Sequence, residues 1–358
     1  MIDHNKPRAR DLGIPFQGTP GPLNAITDIA GIEVGMTTLV RDEAVRTGVT
    51  AILPRGKTST DPVFAGWFAL NGNGEMTGTT WIEEAGFLEG PILITNTHSV
   101  GIVRDAAIRW ATRNHRLPQL WALPVVAETW DGTLNDINGF HVTAEHVATA
   151  LDGASGGAVA EGNVGGGTGM ICYGFKGGTG TSSRHIASNG YTVGALVQAN
   201  HGAQHLLTIA GVPVGAELAR TAEPGGVQEA IASKSIIIVL ATDAPMLPHQ
   251  LERLARRASL GLARTGSVSA NSSGDIFLAF STANPGAASA DPLAQVGMIS
   301  NNEITKLFEA AVQSTDEAII NAMIGAETMT GMNGTTVHAI PHDRVRDILR
   351  KYGRLIEE

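Results

Sequence analysis

Short apolar runs of strand length alternate along the chain with longer segments whose apolar residues recur at helical spacing. The strand-like runs fall at 50–53, 91–95, 119–126, 170–175, 191–198, 235–242 and 276–281, each beside Gly, Asn, Asp or Pro punctuation. Helical spacing marks 100–113, 143–151, 248–264, 302–323 and 341–352. The segment at 248–264 opens on Pro248 and carries Leu251, Leu254, Ala255 and Ala258 on one face. The one at 302–323 turns Ile304, Leu307, Phe308, Ala311 and Ala318 inward. This alternation predicts a mixed α/β protein with helices covering sheet faces. Residues 11–30, rich in Gly and Pro, read as extended chain wrapping a surface. Residues 221–234 read as a loop and short helix, an internal linker leading into the strand at Ser235.

Composition narrows the class. The 358 residues suffice for a substantial core, and no repeat or charged linker divides them, so one domain over 1–358 is expected. The 44 glycines carry no collagen period and therefore imply many tight turns and close backbone approaches. A formal net charge of −9 argues against broad binding to nucleic acid or anionic membranes, which want a basic face. The longest apolar runs are strand-length, too short to span a bilayer. Cys172 is the one cysteine, which excludes an intramolecular disulfide and reads as a small buried apolar residue. With no apolar stretch near Met1, the sequence predicts a cytoplasmic location.

Several motifs fail on inspection. Residues 71–78 (Asn-Gly-Asn-Gly-Glu-Met-Thr-Gly) have the wrong glycine spacing for a dinucleotide loop. Residues 165–169 and 176–183 are glycine-rich but lack the Gly-Lys-Ser/Thr ending of a phosphate loop, and read as turns that let strands pack closely. His201 and His205 could share one helix face, whereas His141 and His146 are five apart, and no His-Glu-x-x-His or cysteine pair accompanies them. No cofactor or metal is expected. The Gly-x-Ser-x-Gly elbow of α/β-hydrolases is absent too.

Three polar islands remain against apolar strands. Ser235 opens the run Ile236-Ile237-Ile238-Val239-Leu240-Ala241-Thr242. Ser273 and Asp275, two apart, face one side of an extended chain just before another apolar run. Asn200 ends the run at 191–198, where an amide can donate to an oxyanion or cap a turn. Taken singly, each is also compatible with an edge residue or a turn.

At these residues the sequence resembles the L-aminopeptidase/D-alanyl-esterase-amidase family, which includes the β-peptidyl aminopeptidases. The resemblance is carried by residues 10–16, 71–78, 95–101, 124–129, 161–170, 196–202, 240–245 and 273–275, nearly the length of the chain. It implies a four-layer α-β-β-α sandwich, similar to N-terminal-nucleophile hydrolases but with different connectivity. It also implies a precursor that cuts itself before a serine, here into 1–234 and 235–358, so that Ser235 becomes an N-terminal nucleophile carrying its own α-amine as base. By the same resemblance Ser273 hydrogen-bonds that nucleophile, Asp275 orients the network, Asn200 is the oxyanion-hole amide, and Glu128 pairs with the substrate's ammonium group. Short peptides and amino-acid amides or esters are the implied substrates, and a homo-oligomer, a tetramer of αβ units, is the implied assembly.

Two positions depart from the family pattern. Lys234 stands where Gly usually precedes the nucleophile, and a Cβ there would hinder a strained cleavage geometry with positive φ. Ser233 offers a shifted cleavage site that breaks the strand register. Trp130 stands where Tyr is expected, and its indole donates from a different place than a phenol would. The same fold also carries acyltransferases, usually with a threonine nucleophile, and Lys234 leaves open an uncut, silent binding protein.

Overall fold

The computed structural model describes residues 6–117, 119–220 and 235–357. In chain order its strands are β1 Glu33–Arg41, β2 Val45–Leu53, β3 Val63–Gly72, β4 Phe87–Leu88, β5 Ile92–Asn96, β6 Val125–Thr129, β7 Ile171–Cys172, β8 Phe175–Lys176, β9 Gly178–His185, β10 Thr192–Asn200, β11 Ser235–Thr242, β12 Gly274–Ser281, β13 Met329–Thr330 and β14 Thr336–Val337. Its α-helices are α1 Thr79–Ala85, α2 Val100–Arg113, α3 Ala144–Asp152, α4 Val214–Arg220, α5 Pro248–Arg264, α6 Ile304–Ile324 and α7 His342–Lys351.

Two sheets dominate. One has the order β1-β2-β5-β6 and the other β4-β3-β12-β11-β10-β9. Within them β5 and β6 pair parallel, as do β11 and β12. The alternation of side chains along each strand assigns the layers. Ile237, Val239 and Ala241 of β11 join Ile52, Ile94, Val125 and Ala127 in a core between the sheets. Ile236, Ile238 and Leu240 point the other way, into a core shared with Leu251 and Leu254 of α5 and Leu307 and Ala311 of α6. On the far side Leu93 and Val126 pack with Val103 and Trp110 of α2 and Val147 and Leu151 of α3. The layers are therefore helix, sheet, sheet, helix, as the resemblance implied. No helix among the described residues is long and apolar enough to cross a membrane.

The helices expected at 100–113 and 248–264 have those bounds, and the other three expected helices shift by one or two residues. The strand at 235–242 is likewise as expected. The run at 119–126 is not a strand until Val125: Pro124 has no N–H for a ladder, and Leu120 lies 92% exposed. The run at 170–175 is split by a tight turn with Tyr173 at φ 51° and Gly174 at φ 76°, leaving the two-residue strands β7 and β8. His201 follows the end of β10 buried while His205 lies exposed in a short 3₁₀ turn, so the two share no α-helix face. The linker at 221–234, with Ser233 and Lys234, lies outside the described residues.

β1, β3 and β9 were not legible as strands. β9 reads Gly-Thr-Gly-Thr-Ser-Ser-Arg-His, a stretch expected to form turns, yet it is the edge of the larger sheet. One of its two glycines, Gly180, has a packing reason in α6. A Cβ on Gly180 would lie 2.0 Å from the Ala318 carbonyl oxygen of α6, so the helix can approach only a bare backbone. Gly180→Ala should therefore destabilise the fold by roughly 2–3 kcal/mol through overpacking. Gly101→Ala, at a helix position with nothing within 4 Å of the new Cβ, should be neutral or slightly stabilising. Thermal unfolding of the two variants side by side checks the contrast.

Candidate active site

The site forms where β10, β11 and β12 begin or end together. Ser235, the first residue of β11, is the register partner of Asn200 across the antiparallel pair and of Gly274 across the parallel one. Cross-strand partners hold their Cβ atoms roughly 5 Å apart, so backbone pairing alone brings the Asn200 side chain beside the serine. The Gly274 N–H donates to Ser235 Oγ at 3.1 Å. That amide can come so close because residue 274 has no side chain: a Cβ there would sit 2.5 Å from the Asn73 carbonyl oxygen.

The Asn200 side chain is held at both ends. The Ile171 N–H donates to its Oδ1 at 2.8 Å, and its Nδ2 donates to the Trp130 carbonyl at 2.8 Å. Only one of the two amide orientations meets both partners.

Ser273 and Asp275 lie on one side of the chain, as expected, and Ser273 Oγ donates to Asp275 Oδ1 at 2.5 Å. The structure shows no hydrogen bond between the Ser273 and Ser235 hydroxyls, and the contact that the resemblance implied stays an expectation. A serine has one proton to donate, and Ser273 commits it to the carboxylate; toward another hydroxyl it can only accept. Burial lifts the Asp275 carboxyl above its usual range, opposed by hydrogen bonds from Ser273 and Ser269 and from the Ile236 amide. The turn before β12 is strained, with Ser269 at φ 47° and Ser272 at φ 69°. Asn71 and Asn73 hold it: Asn71 Nδ2 donates to the Ser269 carbonyl at 2.7 Å and Asn73 Nδ2 to the Ser272 carbonyl at 2.8 Å.

Glu128 comes from the other sheet. It is buried near the end of β6, where its Oε1 accepts from the Glu75 N–H at 2.9 Å and its Oε2 from the Thr97 hydroxyl in a short contact. Burial raises its carboxyl pKa; the Thr97 and Glu75 hydrogen bonds work in the opposite direction. These hydrogen bonds orient the carboxylate without neutralising it. Ser235, Glu128 and Trp130 line one cavity of about 510 Å³, together with Gly72–Glu75, Thr97 and Ser272. The indole of Trp130 is half exposed at this wall. A buried carboxylate at one end and a serine flanked by an amide and a backbone N–H at the other can bind a cation and attack a neighbouring acyl carbon.

Known proteins match this chain over nearly its whole length. Residues 24–337 match the peptidase family S58. The chain belongs to that family. It is 55% identical to the β-peptidyl aminopeptidase BapA of Sphingosinicella microcystinivorans, over 98% of this chain and 93% of the relative. Among solved structures it is similar to the L-aminopeptidase D-Ala-esterase/amidase of Ochrobactrum anthropi, described as a prototype for the serine aminopeptidases and a new variant among the Ntn hydrolase fold. That likeness has a TM-score of 0.91 and 52% identity, covering 98% of this chain and all of the other. A Burkholderia sp. β-aminopeptidase matches at TM-score 0.89 and 49% identity, over 97% and 99% of the two chains. The protein is thus a hydrolase of the aminopeptidase type on an Ntn-hydrolase-like fold.

Membership puts the missed residues in context. Glu75 and Asn73 fall in the stretch at 71–78 that fails as a nucleotide loop, and Thr97 in the stretch at 95–101. Their use is to orient Glu128 and the turn at Ser273. Cys172 is buried beside the site, with its thiol pushed up to about 12 by burial, which leaves it unreactive.

If the approach of Gly274 sets the geometry of Ser235, Gly274→Ala should lower kcat by roughly 10²-fold, the scale expected for an ångström of displacement. Steady-state kinetics on the folded variant checks this; an unchanged kcat would contradict it.

Proposed function

We propose that this chain is a serine aminopeptidase whose nucleophile is Ser235, exposed as a new N-terminus by cleavage of the Lys234–Ser235 bond within a single domain. The observation that carries the reading is one cavity holding both Ser235 at the head of β11 and the buried carboxylate of Glu128. Lys234 itself lies outside the described residues.

In the first step Ser235 Oγ attacks the Lys234 carbonyl carbon. The peptide C–N bond breaks, an ester forms to Oγ, and the proton passes to the released Ser235 α-amine. Water then hydrolyses the ester, giving 1–234 and 235–358. In turnover the α-amine, with a pKa near ~8, takes the hydroxyl proton as Oγ attacks the acyl carbon of the substrate's first residue. Asn200 and the Gly274 N–H donate to the oxyanion, each worth roughly 3 kcal/mol of barrier. The departing amine takes the proton, and water releases the free amino acid from Oγ. Ser273 and Asp275 order the polar end of β11, where a new α-ammonium would sit. Glu128 pairs with the substrate's own ammonium group, so only an acyl residue with a free amine is held at the right distance. The substrates are short peptides and amino-acid amides or esters. Trp130 shapes the wall that meets the first side chain.

A homo-oligomer, a tetramer of αβ units, and a cytoplasmic location belong to the same reading. The exposed apolar side chains of Leu120, Trp121 and Leu293 supply surface for such an assembly.

Intact mass under denaturing conditions should show two fragments dividing at 234/235, and Ser235→Ala should give one uncut chain with no release of p-nitroaniline from an L-amino-acid p-nitroanilide. Turnover by Ser235→Ala would contradict the assignment. Glu128 supplies a second check. Its pKa is raised, so it gains a proton early as pH falls, and the attraction for an ammonium group is lost there. KM should therefore rise as pH falls through that raised pKa. Glu128→Gln should raise KM roughly tenfold to a hundredfold at neutral pH, the scale of one charge-assisted hydrogen bond, and remove the acid-side dependence.

A further inference from the structure

Lys176 belongs to the glycine-rich stretch at 176–183, which has no phosphate-loop ending and plays no part in the chemistry above. Its side chain does not reach solvent: the residue is 0% exposed. Its Nζ donates to the carbonyls of Met170 at 2.7 Å, Gly177 at 3.0 Å and Gly167 at 3.5 Å. Desolvating an ammonium is costly, and an apolar side chain could fill the same space without that cost. Burial draws the Lys176 pKa down to about 7, with Cys172 and Asp131 raising it and Lys6 lowering it.

What the ammonium holds is informative. The Met170 carbonyl and the Ile171 N–H belong to one planar peptide group. Lys176 Nζ grips the oxygen of that group, and its N–H donates to Asn200 Oδ1 at 2.8 Å. Asn200 Nδ2 in turn donates to the Trp130 carbonyl at 2.8 Å. The bonds run in one direction, from ammonium to peptide to amide to carbonyl. Each donor is strengthened by the one before it, because pulling density to the Met170 oxygen makes the Ile171 N–H a better donor.

We propose that Lys176 is a positioning residue for the reaction: through the Met170–Ile171 peptide its Nζ donor orients and polarises the Asn200 side-chain amide that donates to the oxyanion. The inference rests on the reading of Asn200 given under Proposed function. It assigns to a residue that does not line the cavity of Ser235 and Glu128 an effect on the transition state and not on substrate binding.

A double-mutant cycle tests it on the processed enzyme. Asn200→Ala should lower kcat by roughly 10²–10³-fold. Lys176→Met, which keeps the stem and removes the charge, should lower kcat about tenfold in the parent while KM stays within about twofold. In the Asn200→Ala background the same change should alter kcat by less than about twofold, because the group through which Lys176 acts is gone. Lys176→Gln retains an N–H donor and should fall between parent and Lys176→Met; it also replaces Lys176→Met in the cycle if that variant does not fold. An equal loss in both backgrounds, or a rise in KM alone, would overturn the proposal for Lys176 while leaving the Asn200 assignment standing. A parent-like kcat in Asn200→Ala would overturn the Asn200 assignment itself, and the Lys176 proposal with it.

Discussion

Strand β11 is hydrogen-bonded on both sides along its whole length, to β10 in antiparallel and to β12 in parallel register. Its apolar side chains are buried on both faces, alternately between the sheets and under α5 and α6. Each such residue contributes roughly 1.5–3 kcal/mol of burial, so the strand cannot slide without reversing every side chain. Ser235 is the end of this strand. Its place opposite Asn200 and beside Gly274 follows from the register, and a serine so held would lose little freedom on reacting. The remaining parts of the site are arranged around that fixed point.

Charge is treated differently at the site and in the scaffold. Glu317 of α6 is fully buried, and it is met by Arg184 at 2.6 Å, by Arg10 at 2.8 Å and by the Asn24 amide. Such a cluster fastens the N-terminal segment across β9 and α6 and leaves the Glu317 carboxylate no charge to offer a cationic ligand. Glu128 is buried too, but its partners are a backbone N–H and a hydroxyl, which orient the carboxylate without neutralising it. Asp275 follows the same pattern with Ser273. Buried carboxylates satisfied by neutral donors are what a site awaiting a cation requires.

Much of the fold was legible because its central strands and covering helices carry undiluted apolar patterns. Residues 235–242 and 248–264 are continuous or strongly periodic, and their bounds are as the pattern predicts. β9 was not legible because its face toward α6 is built from Gly180, Ser182 and the ion-paired Arg184 and not from apolar side chains, and close helix approach replaces side-chain volume at Gly180. The run at 119–126 misled because hydrophobicity alone does not report the N–H that Pro124 lacks. Of the candidate site, Ser235, Asn200, Ser273 and Asp275 stood out as polar positions against apolar strands, but their roles, and Glu128 altogether, came from family resemblance, since a serine opening a strand has no local signature. Thr97, Glu75, Asn71 and Asn73 could not be read from one chain. Their roles are contacts between segments distant in sequence, and Glu75, Asn71 and Asn73 sit in a stretch that resembles a glycine loop with another purpose. Lys176 escaped for the converse reason, because a lysine among glycines reads as exposed until the structure turns it inward.

The central claim is that Ser235 is an N-terminal nucleophile that carries the acyl group. The most direct measurement is to quench the enzyme in acid during turnover of an amino-acid ester and map the peptides by mass. The account predicts the aminoacyl group on Oγ of a peptide that begins at Ser235. An acyl group on any other residue, or a peptide that runs unbroken through Lys234–Ser235 in active enzyme, would contradict it.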